Sequence, residues 1–356
     1  MPDTSFPINA VAAVTHAAPY SYYARLRGDR PLFFDEGLAL WIATSAAVVT
    51  QALAHPHLRV RPPTEPVPKA LLGTSTGEVF ARLVRMNDGA FHRQHRPMVA
   101  ASAQRWSDSE IAAAAQAAAM DLQPRMDAND LLMVLPVQAM ARLLGVDAGA
   151  LDETTANVLA FTQGIAGGAN AAAIARSDAA VQALMHQGKS QGLDDVRAAN
   201  RIALMQQSVD ATAALLGNSV LATRTHPAEW SAADPVDFVA ECARWDPPVH
   251  NTRRFAEEDI ELNGMAIRQG QGVLVVLASA NRDPALNPEP HRFDVNRSQR
   301  RSLGFGAGVH ACPGEAMAIR IVAAALPVLL VEKNYFGDCT GYRPLPNARI
   351  PTFAGR

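Results

Sequence analysis

The sequence predicts a mostly α protein with a small β component, and three observations predict it. Ala- and Leu-rich stretches with helical spacing recur along most of the 356 residues. Only two short runs, WIAT at 41–44 and GVLVVLAS at 272–279, carry strand-type composition. No linker divides the chain, so residues 1–356 are expected to form a single domain.

The elements follow in order. The N-terminal MPDTSFPINAVAAVTHAAPYSYY has no basic segment leading into a long apolar run, so no signal or membrane anchor is expected there. RPPTEPVPK at 61–69 is Pro-rich and predicts a loop. Residues 109–122 and 134–145 predict helices, the second stopped by Gly145. A long helix is expected from about 196 to 223; it is apolar on most sides and so belongs in a core. Asp234 then caps a helix with Pro235 at its first position. That helix ends near Trp245, because Pro247 and Pro248 cannot continue it.

Composition narrows the function classes. Apolar residues are 49% and charged residues 19%, normal for a globular chain with a large core. A net charge of −2 gives no general attraction to nucleic acid or anionic membrane. No stretch has about 18 uninterrupted apolar residues, so no transmembrane helix is expected. Cys242, Cys312 and Cys339 are odd in number and far apart, which fits a reducing cytosol and not a disulfide framework.

The chemistry concentrates in LGFGAGVHACPGEAMA, 303–318. Glycines at 306, 308 and 314 open backbone conformations closed to other residues and let a flat group approach. Pro313 turns the chain into a helix, whose amides and positive end favour thiolate at Cys312. A thiolate so held is a nucleophile or a metal ligand. The loop alone also leaves open a buried structural cysteine and a Cys312–His310 pair.

Phe305-Gly306-Ala307-Gly308-Val309-His310-Ala311-Cys312-Pro313-Gly314 resembles the haem-binding loop of the cytochrome P450 haem-thiolate monooxygenases at every fixed position. The resemblance implies that Cys312 is the axial ligand to the iron of haem b, within a loop where Phe305, Gly306 and Gly314 meet the cofactor. Thiolate ligation pushes electron density onto the iron and favours O–O cleavage. Other family motifs stand in the right order. His92 and Arg96, four apart on one helix face, are similar to the H-x-x-x-R that binds haem propionates. Arg254 and His310 match further propionate contacts, and cationic donors suit carboxylates. Glu241 and Arg244 match E-x-x-R, followed by Pro247-Pro248-Val249; NRDP at 281–284 and PHRFD at 290–294 resemble the family's meander. By resemblance Arg292 joins Glu241 and Arg244 in a buried ionic triad. With PYSYYARLRGDRP near the N-terminus, the likeness to the bacterial members spans roughly the whole chain.

Two departures bear on function. On the long helix the family shows a small residue, Gly, an acid and then Thr. This chain reads Gln207-Ser208-Val209-Asp210-Ala211-Thr212. Asp210 takes the acid position and would gate protons. Ala211 replaces the threonine that helps deliver them. Ser208, Gln207, a substrate group or water would then complete the proton path, or a slipped register would make Thr212 the functional alcohol. The alternatives are a peroxide-using or coupling enzyme and a non-catalytic haem-binding or sensor protein. The second departure is a short segment between Gly145 and 196, which in the family covers the substrate; its 164–175 (GIAGGANAAAIA) predicts a trimmed or mobile lid.

Substrate contacts are expected from the 61–85 region, Gln207, Asp210, Val249, His250, Asn251 and Leu345-Pro346. The polarity of Gln207, His250 and Asn251 favours a substrate with hydrogen-bonding groups. The family reading implies a cytoplasmic, monomeric oxidoreductase of secondary metabolism, supplied with electrons by a ferredoxin and its reductase. Arg105, Arg300, Arg301 and Arg320 are candidates for a basic patch facing that acidic partner.

Overall fold

A computed structural model describes residues 6–355. The first five residues of the N-terminal stretch read for a leader lie outside the described residues. Helices dominate, with three small sheets. Packing divides the chain into two units, each assembled from separated segments. One comprises residues up to Pro63, Ala214–Glu315 and Glu332 onward; the other comprises Thr64–Ala213 and Ala316–Val331.

The first unit holds the β component. Its main sheet runs in the order Leu32–Asp35, Leu40–Ala43, Gly272–Val275, Thr252–Ala256, Leu58–Arg59. Leu40–Ala43 pairs parallel to Gly272–Val275, so both predicted strands sit side by side. The second strand is shorter than its composition suggests. After the Val276 amide donates the last ladder bond to the Ala43 carbonyl, residues Leu277–Asn281 turn helical. A separate hairpin, Ile260–Leu262 with Met265–Ile267, turns on Asn263 and Gly264, both at positive φ. Asn-Gly is the pair that such a two-residue turn favours. A core of Leu32, Trp41, Val48, Leu53, Val273 and Leu277 backs the main sheet, and Leu303 and Ala307 of the cysteine loop pack onto it.

The second unit is helical. Asp108–Leu122 starts on a capping box in which Ser107 and Glu110 satisfy each other's amides. The next helix begins at Ala128, ahead of the predicted 134, because Asp127 accepts from the amides of Asn129 and Asp130. Pro136 sits inside it. Gly145, at φ +72, ends the helix as read, and the amides of Gly145 and Val146 return to the carbonyls of Arg142 and Ala141.

The covering segment differs from its expectation. Leu151–Gly164 and Ala171–Ser190 are two packed helices joined by a short turn, so 171–175 is helix, not loop. A Cβ on Gly164 would lie 2.2 Å from the Cβ of Ser177. That glycine lets two helices approach closely; its smallness signals packing, not flexibility.

The long helix spans Asp195–Thr225, and the Asp234-capped helix spans Pro235–Trp245. Gly308–Leu329 is the one helical stretch among the described residues long and apolar enough to cross a membrane. Glu315 and Arg320 interrupt it, so it holds no uninterrupted apolar run of about 18 residues. Its Ile321, Val322, Leu326 and Leu329 are buried in protein.

Candidate functional site

The cysteine loop is a backbone construction. Gly306 and Gly308 have φ of +73 and +68, so both occupy the left-handed region that favours glycine. At Gly308 a Cβ would also meet the carbonyl oxygen of Leu53 at 3.3 Å. The chain folds back so that the Cys312 amide donates to the Phe305 carbonyl at 2.8 Å, and the Ala311 amide to Gly308 at 3.1 Å. The result presents Cys312 as an exposed side chain just before the helix Glu315–Leu329. His310 ends the short 3₁₀ turn Gly308–His310 and is half-buried; Gly314 lies in the turn after Pro313.

Two buried asparagines fix where the loop starts, and no motif flagged them as such. Asn281 accepts from the Leu303 amide at 2.6 Å and donates to the Arg244 carbonyl at 3.2 Å. Asn287 donates to the carbonyls of Asn281 and Arg301 and accepts from the Arg301 amide. A side-chain amide carries both a donor and an acceptor, so one residue can serve both in one buried place. The only hint in the sequence was Asn281 within NRDP.

The ionic cluster exists, with one member changed. Glu241 and Arg244 are both fully buried and paired at 2.6 Å. The further cations are Arg300, at 3.2 Å from Glu241, and Arg297 at 3.6 Å. Arg292 is not among them. Its guanidinium is 63% exposed beside Glu289, and it contributes its backbone carbonyl, which accepts from Arg244 and Arg297. The cause is local: Glu289 turns at φ +46 and the Arg292 amide folds back onto its carbonyl, which sends the side chain outward.

Arg254 lies on Thr252–Ala256, in register with Val273, and is buried. Val249 bridges to Ala348. His250 and Asn251 are engaged elsewhere than in a substrate pocket. His250 Nδ1 is 3.0 Å from the Tyr23 hydroxyl and Nε2 is 3.6 Å from Asp246. Burial pulls the imidazole pKa down, opposed by Asp246. Burial also works against the Asp246 carboxylate, but Arg349, His250 and Tyr20 outweigh it and hold its pKa below the usual range. Asn251 is buried and donates to the carbonyl of Pro346 at 2.9 Å. Both side chains therefore serve the interior of the first unit.

In the second unit, His92 and Arg96 lie on the helix Gly89–Gln104, one turn apart; His92 is buried and Arg96 half-buried. Along residues 201–212 of the long helix, every position is buried except Leu204, Gln207, Asp210 and Ala211. That spacing defines one open stripe. Gln207, Asp210 and Ala211 lie on it. Thr212 is only 3% exposed, one residue and about 100° away. Ser208 is buried and its hydroxyl donates to the Met205 carbonyl at 2.6 Å. The structure thus withdraws Thr212 and Ser208 from the open face.

A residue that no motif marked stands near Asp210. Arg85 donates to Gln206 at 2.8 Å, and burial draws its pKa to about 10 while the charge of Asp210 opposes that shift. Of the four arginines read as a basic patch, Arg300 is held by Glu241 and Asp237, and Arg320 pairs with Asp108 at 2.6 Å.

An exposed cysteine presented by a glycine loop, beside a buried Glu–Arg cluster, is the arrangement that the resemblance to the haem-thiolate class implies. The comparisons agree with this class. A family model described as Cytochrome P450 matches residues 237–332. The 20-oxo-5-O-mycaminosyltylactone 23-monooxygenase of Streptomyces fradiae is 28% identical, over 90% of this chain and 84% of that relative. The 6-deoxyerythronolide B hydroxylase of Saccharopolyspora erythraea is 39% identical, over 33% of this chain and 30% of that relative. Among solved structures, P450BioI, crystallised with an acyl carrier protein bearing hexadec-9Z-enoic acid, superposes with a TM-score of 0.77. Its identity is 25%, covering 94% of this chain and 96% of that one. CalO2 gives 0.78 at 21% identity, covering 98% and 97%.

The chain is thus similar to cytochrome P450s, through the family model over 237–332 and through relatives named as a monooxygenase and a hydroxylase.

Proposed function

We propose that Cys312 binds the iron of haem b and that the enzyme inserts one oxygen atom from O2 into a small organic molecule. The observation that carries this reading is the loop 305–314, whose positive-φ glycines and Phe305–Cys312 backbone bond present one thiol. The residues fit the group: soft thiolate suits haem iron, and His92, Arg96, Arg254 and His310 are cationic or polar donors for propionates. Both packing units are proposed to act as one haem-thiolate domain. When bound, haem supplies oxygen activation and C–H insertion chemistry.

The chain's own contribution is positional and protonic. Asn281, Asn287 and the Glu241 cluster hold the loop that carries Cys312. On the open stripe of the long helix, Asp210 holds and moves the proton, with Arg85 as a counter-charge. Ala211 offers no hydroxyl, so Gln207, a substrate group or water completes the path. The exposed amide of Gln207 favours a substrate with hydrogen-bonding groups. Two relatives act, by their names, on macrolide-type molecules, which supports a role in secondary metabolism. Electrons are proposed to come from a ferredoxin and its reductase, to a cytoplasmic monomer. The reduced CO spectrum tests the reading: a thiolate-type Soret band is expected, and its absence overturns it.

Ala211 specifically favours a second reading, a peroxide-using or coupling enzyme, or a haem-binding sensor. A substrate-library screen for the Soret shift that accompanies loss of iron-bound water separates the sensor from the enzymes.

A further inference from the structure

The second unit contains a cavity of about 400 Å³ that shares no lining residue with the haem-thiolate motifs. Three arginines line it, Arg105, Arg197 and Arg201, and among the described residues no carboxylate does. Arg105 and Arg197 are exposed; Arg105 stacks on Trp106, and Arg197 lies 3.7 Å from Asp194 across the surface.

Arg201 is different. It is 5% exposed. One terminal nitrogen donates to Gln187 at 3.1 Å. Its Nε and its Nη2 are buried with no hydrogen-bond partner. Those two atoms form the side-on edge of the guanidinium, with two parallel N–H bonds that match the two oxygens of a carboxylate or phosphate. Burial first, and then the like charge of Arg105, pull the Arg201 pKa down. A buried cation repelled by its neighbour is costly unless an anion joins it. The rest of the wall includes Val99, Leu144 and Leu204, which offer an apolar surface to whatever that anion is attached to.

We propose that this cavity binds a small amphipathic organic anion. Its carboxylate or phosphate head docks on the Nε–Nη2 edge of Arg201, Arg105 and Arg197 add charge at the rim, and its apolar body covers Val99, Leu144 and Leu204. The site is independent of the haem assignment.

Octanoate and octyl phosphate, with 1-octanol as the neutral control, are titrated calorimetrically into the full chain while the visible spectrum is followed. Both anions are expected to bind about tenfold or more tighter than octanol, with no Soret shift, and Arg201→Gln is expected to abolish that preference. The thermal midpoint of Arg201→Gln without ligand is expected to hold or rise, because the variant removes an unpaired charge. Should Arg201→Gln fail to fold, the surface double variant Arg105→Gln/Arg197→Gln is expected to weaken the anions several-fold. Equal binding of octanol, a preference that survives in these variants, or anion binding that moves the Soret band overturns the proposal.

Discussion

The cysteine loop and the open stripe of the long helix are built on opposite principles. The loop around Cys312 is held by backbone: two left-handed glycines, a Phe305–Cys312 bond and amides caught by Asn281 and Asn287. The stripe at Gln207, Asp210 and Ala211 is regular helix, and its character rests on single side chains. A site made by backbone tolerates few substitutions. A site made by side chains on a rigid helix can be retuned one residue at a time. The difference explains why the departure at Ala211 coexists with an intact loop.

The sharpest break of this comparison is Cys312→Ser. It is expected to abolish the thiolate-type reduced CO band and turnover while leaving the helical circular dichroism unchanged. Next is the support of the loop. Glu241→Gln strands the buried Arg244 and should cost about 3–5 kcal/mol, read as a drop in unfolding midpoint and in haem retention. Asn281→Ala should cost less, about 1–3 kcal/mol, by leaving the Leu303 amide and the Arg244 carbonyl unmet. On the stripe no fold change is expected. Ala211→Thr should raise the fraction of NADPH coupled to product, whereas Thr212→Ala, on the buried face, should leave coupling nearly unchanged. If Ala211→Thr leaves coupling where it was and peroxide alone sustains full turnover, dioxygen activation loses its case. The smallest effect belongs to Arg292→Ala, expected within about 0.5 kcal/mol of wild type because the side chain is solvated, against a clear loss for Arg300→Ala.

Much of this was readable along the chain because it depends on neighbours in sequence. Gly145 ends its helix, Asp234 and Pro235 start theirs, and the glycines of 303–318 turn where their φ requires. The family resemblance already put Asp210 and Ala211 at the working positions of the long helix, but it left a slipped register at Thr212 open. What could not be read was partner choice. Arg292 occupies the motif position, yet Arg300 and Arg297 reach Glu241, since a turn at Glu289 redirects the nearer side chain. His250 and Asn251 looked like substrate contacts by polarity, and burial against Tyr23 and Pro346 assigned them to the interior.

The sequence by itself determined part of the local geometry of this protein: the long helix, the helix ends at Gly145 and Asp234, and the loop that presents Cys312. Each of these follows from conformational preferences and hydrogen bonds spanning a few residues. Only the tertiary structure decided which cation neutralises Glu241, which face of the long helix stays open, and that Gly164 is a packing contact. Those outcomes depend on groups brought together from distant parts of the chain, where burial and charge, not local propensity, select the partner.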